Sequence, residues 1–185
     1  MTARKNMLVA LRRRIGMALA AFHFRGWRDD VISFARAVSG AQRVLVVMPL
    51  NQRELLSAFN VIVMLKRKFD EERITVIGDE RGLETLRLMP KSHFVQIRET
   101  DVDLFFHPRP AFLTLIKDRR FDLAIDLNLD FVLPSGYICR ESNAKVRMGF
   151  AGPSVDRFYN FQIQPDPRQP RQTMYDRVAK CLYMF

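Results

Sequence analysis

The apolar positions of this chain follow two different periods. Over residues 5–24, Leu8, Leu11, Ile15, Leu19 and Phe22 recur at helical spacing and share one stripe, while Arg13 and Arg14 lie off it. Trp27-Arg28-Asp29-Asp30 reads as the opening of a second helix reaching about Ala37, because aspartates near a helix N-terminus are stabilised by its dipole. Ser39-Gly40 reads as its stop. From residue 42 the pattern changes to short β-branched runs without polar alternation, at 43–48, 73–77, 93–97, 121–126 and 145–150. Helical stretches at about 52–69, 80–88, 109–119 and 131–142 separate them. Strands apolar on both faces and joined through helices are what a parallel sheet covered on both sides requires. A looser strand over 158–164, a proline-rich stretch at 165–170 and an amphipathic helix from Gln172 onward complete the chain, which has no internal repeat. The expected fold is α/β: a mainly parallel sheet with helices on both faces over residues 41–185, preceded by a basic amphipathic helical segment over 1–40.

Composition narrows this further. With 185 residues, 48% of them hydrophobic, the chain is long enough for one sizeable core or at most two small ones, which excludes a disordered protein. The formal charge of +10 points to an anionic partner: nucleic acid, a phospholipid surface or a phosphorylated substrate. Arg4, Lys5, Arg12, Arg13, Arg14 and Arg25 all precede the first acid, Asp29, so the N-terminal helix is strongly basic. One reading docks it on an anionic membrane surface, with Arg12, Arg13 and Arg14 as the contacts. The other packs its apolar stripe on the protein's own core and leaves the arginines solvated. Pattern alone leaves both open. Nucleic-acid binding rests on charge only, because no aromatic-basic strand, zinc finger or helix-turn-helix glycine turn is present. Cys139 and Cys181 form no CxxC and have no Cys/His spacing, so neither a disulfide scaffold nor a metal site is expected and a reducing cytosol is the simplest setting. The apolar run at 15–24 is about half of what a membrane span needs, and Arg12 to Arg14 leave too little hydrophobic region for a cleaved signal peptide.

In an open parallel sheet, ligands bind beyond the carboxyl ends of the strands, here the loops after Met48, Ile77, Ile97 and Asp126. The first of these, Pro49-Leu50-Asn51-Gln52-Arg53-Glu54, holds no glycine, so it is not a nucleotide-cradling loop. Glu54 reads either as a first-turn helix acid or as a catalytic carboxylate. Asp126, at the end of a buried strand, suits a substrate hydroxyl or, preferably, fixing the next loop through its N–H groups. His23, His93 and His107 have no ligand spacing and none reads as catalytic.

FDLAIDLNLDFVLPSGYICRESNAKVRMGF, residues 121–150, resembles the segment of heptosyltransferase-like (family 9) glycosyltransferases that reads roughly "yDlvIDLq…rs…ga..riGf". RVLVVMPLNQRELLSAFNVIVMLKRKF aligns without a gap on the family's opening strand, its "SLGD" loop and the helix ending "LLRALRRHF". Together with the closing helix, the similarity covers about residues 42–185. It implies the N-terminal, acceptor-side, Rossmann-like domain of a two-domain GT-B enzyme, with residues 1–40 as an extension ahead of it; such an enzyme transfers a sugar from a nucleotide donor, typically ADP-heptose, to the lipopolysaccharide inner core. The implied partner is an anionic glycolipid acceptor or membrane surface, and the implied location is cytoplasmic, peripheral on the inner face of the cytoplasmic membrane. The family's general-base aspartate falls on Glu54, its loop glycine on Arg53 and its arginine before serine on Pro134, ahead of Ser135. Asn51, Arg53, Asp126, Asn128 and Ser135 are then the expected substrate-binding positions. No donor domain follows within the sequence, so the chain is expected to be inactive alone. A nucleotide sugar is bound only if a donor domain is supplied in trans, and no other cofactor and no metal are expected. The alternative is a non-catalytic, membrane-associated acceptor-binding or scaffold protein.

Overall fold

The β-branched runs build the centre of the molecule. In the computed structural model, which describes residues 2–184, six strands form one sheet: β1 (Val44–Val47), β2 (Ile74–Gly78), β3 (His93–Gln96), β4 (Leu123–Asp126), β5 (Val146–Phe150) and β6 (Phe161–Ile163). Their order is β3-β2-β1-β4-β5-β6 and every pairing is parallel, so the α/β, Rossmann-like expectation holds. Val44 lies opposite both Ile74 and Leu123, which makes β1 the centre from which the strand order runs in both directions. Seven helices accompany the sheet: α1 (Thr2–His23), α2 (Phe34–Ser39), α3 (Gln52–Lys68), α4 (Thr85–Leu88), α5 (Pro110–Lys117), α6 (Leu133–Glu141) and α7 (Arg171–Tyr183).

Successive side chains of a strand point to opposite faces, and both faces here are dry. Val44, Val46, Met48 and Ile125 meet Ile62 and Leu65 of α3 and Tyr175 and Val178 of α7. Leu45, Val47, Ile77 and Ala124 meet Ile116 of α5, Ile138 of α6, and Ala20 and Phe24 at the end of α1. Each such leucine, isoleucine or valine contributes roughly 1.5–3 kcal/mol by leaving water. This two-sided burial is why the strands lack polar alternation.

Two expectations fail. Residues 27–33 are not helical, and the second helix is only α2, which starts at Phe34 behind Ser33. The Asp29 carboxylate is drawn into the domain by Arg140 and Arg147, so it does not cap a helix. Residues 80–88 form a 3-10 turn, Glu80–Glu84, followed by the short α4. A Cβ on Gly82 would lie 3.3 Å from the Phe94 ring, so this turn is pressed tightly against β3.

α1 lies along α6. At Gly16 the helix presses on the domain, for a Cβ there would come within 2.0 Å of the Phe105 carbonyl oxygen in the loop before α5 and 2.9 Å of the Leu133 side chain of α6. His107 Nε2 bonds the Gly16 carbonyl at 2.9 Å, the Arg13 guanidinium donates to the Phe131 carbonyl at 2.6 Å, and His23 meets the buried Glu141 at 2.8 Å. The face turned inward is therefore Gly16, Ala20 and Phe24. The stripe singled out in the sequence, from Leu8 to Phe22, faces outward and does not pack on the core. Among the described residues, no helix is long and apolar enough to cross a membrane.

Candidate functional site

The carboxyl ends of β1, β2 and β3, closed on one side by the start of α6, enclose a cavity of about 610 Å³. Its wall is apolar where it meets the sheet, through Met48, Ile77, Ile97 and Ile138, and polar at the rim, through Asp79, Arg81, Arg98 and Glu99. Arg81 ties the rim together: its Nε donates to Asp79 at 2.9 Å and one Nη to the Leu50 carbonyl at 2.9 Å, so the loops after β1 and β2 hold one guanidinium between them. The third loop is compact. Asp103 Oδ1 accepts the N–H groups of Phe105 at 2.8 Å and His107 at 2.9 Å, and between them Phe106 is held at φ 66°, a left-handed conformation that is strained for a bulky side chain. Phe106 lines the cavity and packs against the core behind it.

Beside the cavity lies a buried polar network. Asp126 Oδ1 accepts from the Asn128 backbone N–H at 2.9 Å and from Asn128 Nδ2 at 2.7 Å, and Oδ2 accepts from the Tyr159 hydroxyl at 2.5 Å. Asn128 in turn receives the Leu50 N–H on its Oδ1 at 3.0 Å and donates to Ser135 Oγ at 3.2 Å. Three of the expected substrate-binding residues, Asp126, Asn128 and Ser135, are thus joined, and through Leu50 they set the position of the loop after β1. Only Ser135 also lines the cavity. Burial pushes the Asp126 carboxyl up to about 6, against the lowering effect of the hydrogen bonds from Tyr159 and Asn128. A carboxyl whose folded value is raised binds more protons in the folded chain, so its effect is a loss of stability as pH rises through about 6. Stability is expected to fall by about 1.4 kcal/mol between about pH 5 and pH 7 from this group. Urea midpoints at the two pH values, compared with Asp126→Asn, check this. An unchanged dependence in the variant would assign it to other groups.

Glu54 lies on the other side of β1. Asn51 caps α3 by accepting the Arg53 N–H at 3.1 Å, and its Nδ2 donates to Glu54 Oε1 at 2.9 Å. Arg171, at the start of α7, forms a close ion pair with Glu54 and reaches Asp130 at 3.1 Å. The Tyr175 hydroxyl sits 3.2 Å from Glu54 Oε2 and 2.9 Å from the Leu127 carbonyl. Glu54 is 2% exposed, so its carboxylate reaches solvent only if Arg171, itself about half exposed, swings aside. Arg53 points its side chain into solvent.

Sequence reading missed Arg81, Arg98, Tyr159, Arg171 and Tyr175. Arg81 and Arg98 follow the carboxyl ends of β2 and β3, so position along the strands pointed to them. The tyrosines and Arg171 carry no local signal, because they arrive from residues 33 to 121 positions away along the chain. Burial raises the Cys139 and Cys181 thiols, so neither offers a ready thiolate. Among the described residues, no group of three His, Cys, Asp or Glu could hold a metal ion.

No family profile and no curated protein matches the sequence. Among solved structures, the fold is similar to the crystal structure of the glycosyl transferase family 9 from Veillonella parvula DSM 2008, with a TM-score of 0.56 over 76% of this chain at 14% identity. The chain spans 41% of the length of that structure. The six-stranded parallel sheet and its helices thus have the fold of part of a family 9 glycosyltransferase structure.

Proposed function

We propose that this chain is the acceptor-side half of a glycosyltransferase. It would bind an anionic lipopolysaccharide-core acceptor and receive heptose from ADP-heptose held by a donor domain. The observation that carries this reading is the cavity at the carboxyl edge of a sheet whose fold resembles a family 9 structure, with Arg81 and Arg98 at its rim. An apolar wall under a rim that carries Asp79, Glu80, Glu99 and Asp103 as well as the two arginines suits the face and the hydroxyl groups of a sugar, and leaves Arg98 as the group for an anionic substituent. In the transfer step the acceptor hydroxyl loses its proton to a base and its oxygen bonds to the anomeric carbon. The bond from that carbon to the diphosphate breaks, and ADP leaves with the electron pair. Glu54 is the base in this reading; it does not line the cavity, so the acceptor must extend from the cavity across the end of β1 to reach it, with an acceptor phosphate drawing Arg171 away. A base contributes about 10²–10⁴-fold, and stabilising the diphosphate as it leaves is often the larger effect. The chain alone is therefore expected to be inactive.

A second reading, a non-catalytic acceptor-binding or scaffold protein, is favoured by the three partners that already occupy the Glu54 carboxylate. Calorimetric titration of the chain with ADP, ADP-heptose and lipid A–Kdo acceptors tests both. Acceptor binding without ADP binding is the expected result, and tight ADP binding or transfer by the chain alone would overturn it. With a donor domain added, transfer that Glu54→Gln lowers at least about a hundredfold supports the enzyme. Acceptor binding with no transfer supports the scaffold.

A further inference from the structure

α1 has a mixed face turned to its domain and an apolar one turned away from it. Asn6, Val9, Arg13 and Met17 look into a groove whose other wall is the loops after β4 and β5, through Leu129, Phe131 and Phe150. About half a turn away, Leu8, Leu11, Ile15, Leu19 and Phe22 stand in solvent, from 39% exposed at Ile15 to 64% at Phe22. A contiguous apolar stripe on a helix that is already clamped to its domain is not needed for folding and marks a contact surface. Its borders are basic. By helical position Arg12 flanks one side and Arg14, exposed at the mouth of the groove, the other, and Arg25 lies over the Phe22 ring at 4.1 Å. No acid occurs before Asp29, and among the described residues none pairs with Arg12 or Arg14.

The geometry points to this face as a docking surface for an anionic lipid bilayer, with α1 lying in the headgroup layer. The stripe enters the acyl boundary while the flanking arginines meet lipid phosphates. A second copy of the chain does not fit the same face, because pairing two such helices would bring their arginines together with no acid on either. The clamp at Gly16, Arg13 and His107 makes the docking directional. The groove lies behind the same helix, so the carboxyl edge of the sheet is held next to the membrane and not turned away from it. This inference does not depend on the glycosyltransferase reading.

Flotation of the full chain with vesicles of phosphatidylglycerol and phosphatidylcholine, and with phosphatidylcholine alone, tests it. The variants are Leu11→Glu/Ile15→Glu and Arg12→Glu/Arg25→Glu, all at exposed positions, with circular dichroism melting as the check on folding. Binding is expected only to the anionic vesicles, reduced at least tenfold by either variant and by about 0.5 M salt, where screening shortens to a few ångströms. Equal flotation of Leu11→Glu/Ile15→Glu and the parent chain would overturn the proposal. So would equal binding to neutral vesicles, or a parent dimer that this variant converts to monomer.

Discussion

Asp29→Ala is expected to lower the stability of the fold by about 3 kcal/mol, because it leaves two buried guanidiniums without their shared acid. Arg140 and Arg147 are 5% and 4% exposed, and both reach the same Asp29 oxygen, at 2.5 and 2.6 Å. Arg147 keeps two other acceptors, the carbonyls of Phe158 and Ala144, each at 2.9 Å. Arg140 is worse placed: its Nε has no partner, and beyond Asp29 it has the Trp27 ring at 5.5 Å. Asp29 is itself partly open to solvent, which moderates the effect and places it at the lower end for a broken buried pair. Asp29→Asn keeps the shape and loses the charge, so an intermediate loss is expected. Burial pushes the Asp29 carboxyl up, but the hydrogen bonds and charges of the two arginines outweigh it and hold the group below its usual value. With the folded value depressed, this stabilisation is present above about pH 4 and is lost as pH falls through the folded value. Urea unfolding at neutral pH measures the difference. A loss under about 1 kcal/mol for Asp29→Ala would show that water replaces the carboxylate.

Gly149→Ala is expected to cost about 3 kcal/mol by a different route. The Tyr159 ring lies flat on β5 at this residue, and an added Cβ would fall 2.6 Å from two of its ring carbons and 2.8 Å from a third. The ring has nowhere to go, since it is 3% exposed and its hydroxyl is bonded to Asp126. Overpacking of this kind costs about 1–3 kcal/mol, and dragging the hydroxyl off a buried carboxyl adds about 1–3 kcal/mol more. The loss should shrink in a Tyr159→Leu background, where the clashing ring is gone. If Gly149→Ala costs the same in both backgrounds, the strain lies in the strand backbone and not against the ring.

Much of this architecture was legible in residue order, for a physical reason. In a sheet buried on both faces, runs such as 44–47 and 123–125 are apolar throughout, and the helices between them must cover both sides. The short 27–33 strap was not legible, because the force that straightens it comes from arginines more than a hundred positions away. The candidate site divides in the same way. Asp126, Asn128 and Ser135 sit on one strand end and the helix after it, so their association follows from local order. Glu54 was found by its place in the loop after β1, whereas its real surroundings, Arg171 and Tyr175, depend on α7 packing across α3. The outward stripe of α1 was visible as a pattern, but its direction was not. A period of 3.6 fixes which residues share a face and says nothing about which way the face turns.

The clamp on α1 also carries a consequence in time. Its seat is made by residues 105–107 and by α6, which ends at Glu141, so a ribosome must add more than a hundred residues after Phe24 before the seat exists. At about 5–20 residues per second, that leaves a nascent helix with both faces uncovered for roughly 6–25 s. A basic helix without an acid is then free to find an anionic surface well before its own domain can claim it. If α1 docks on a bilayer as proposed above, it has time to do so before α6 exists, and the folded domain would then close onto a helix already lying at the membrane.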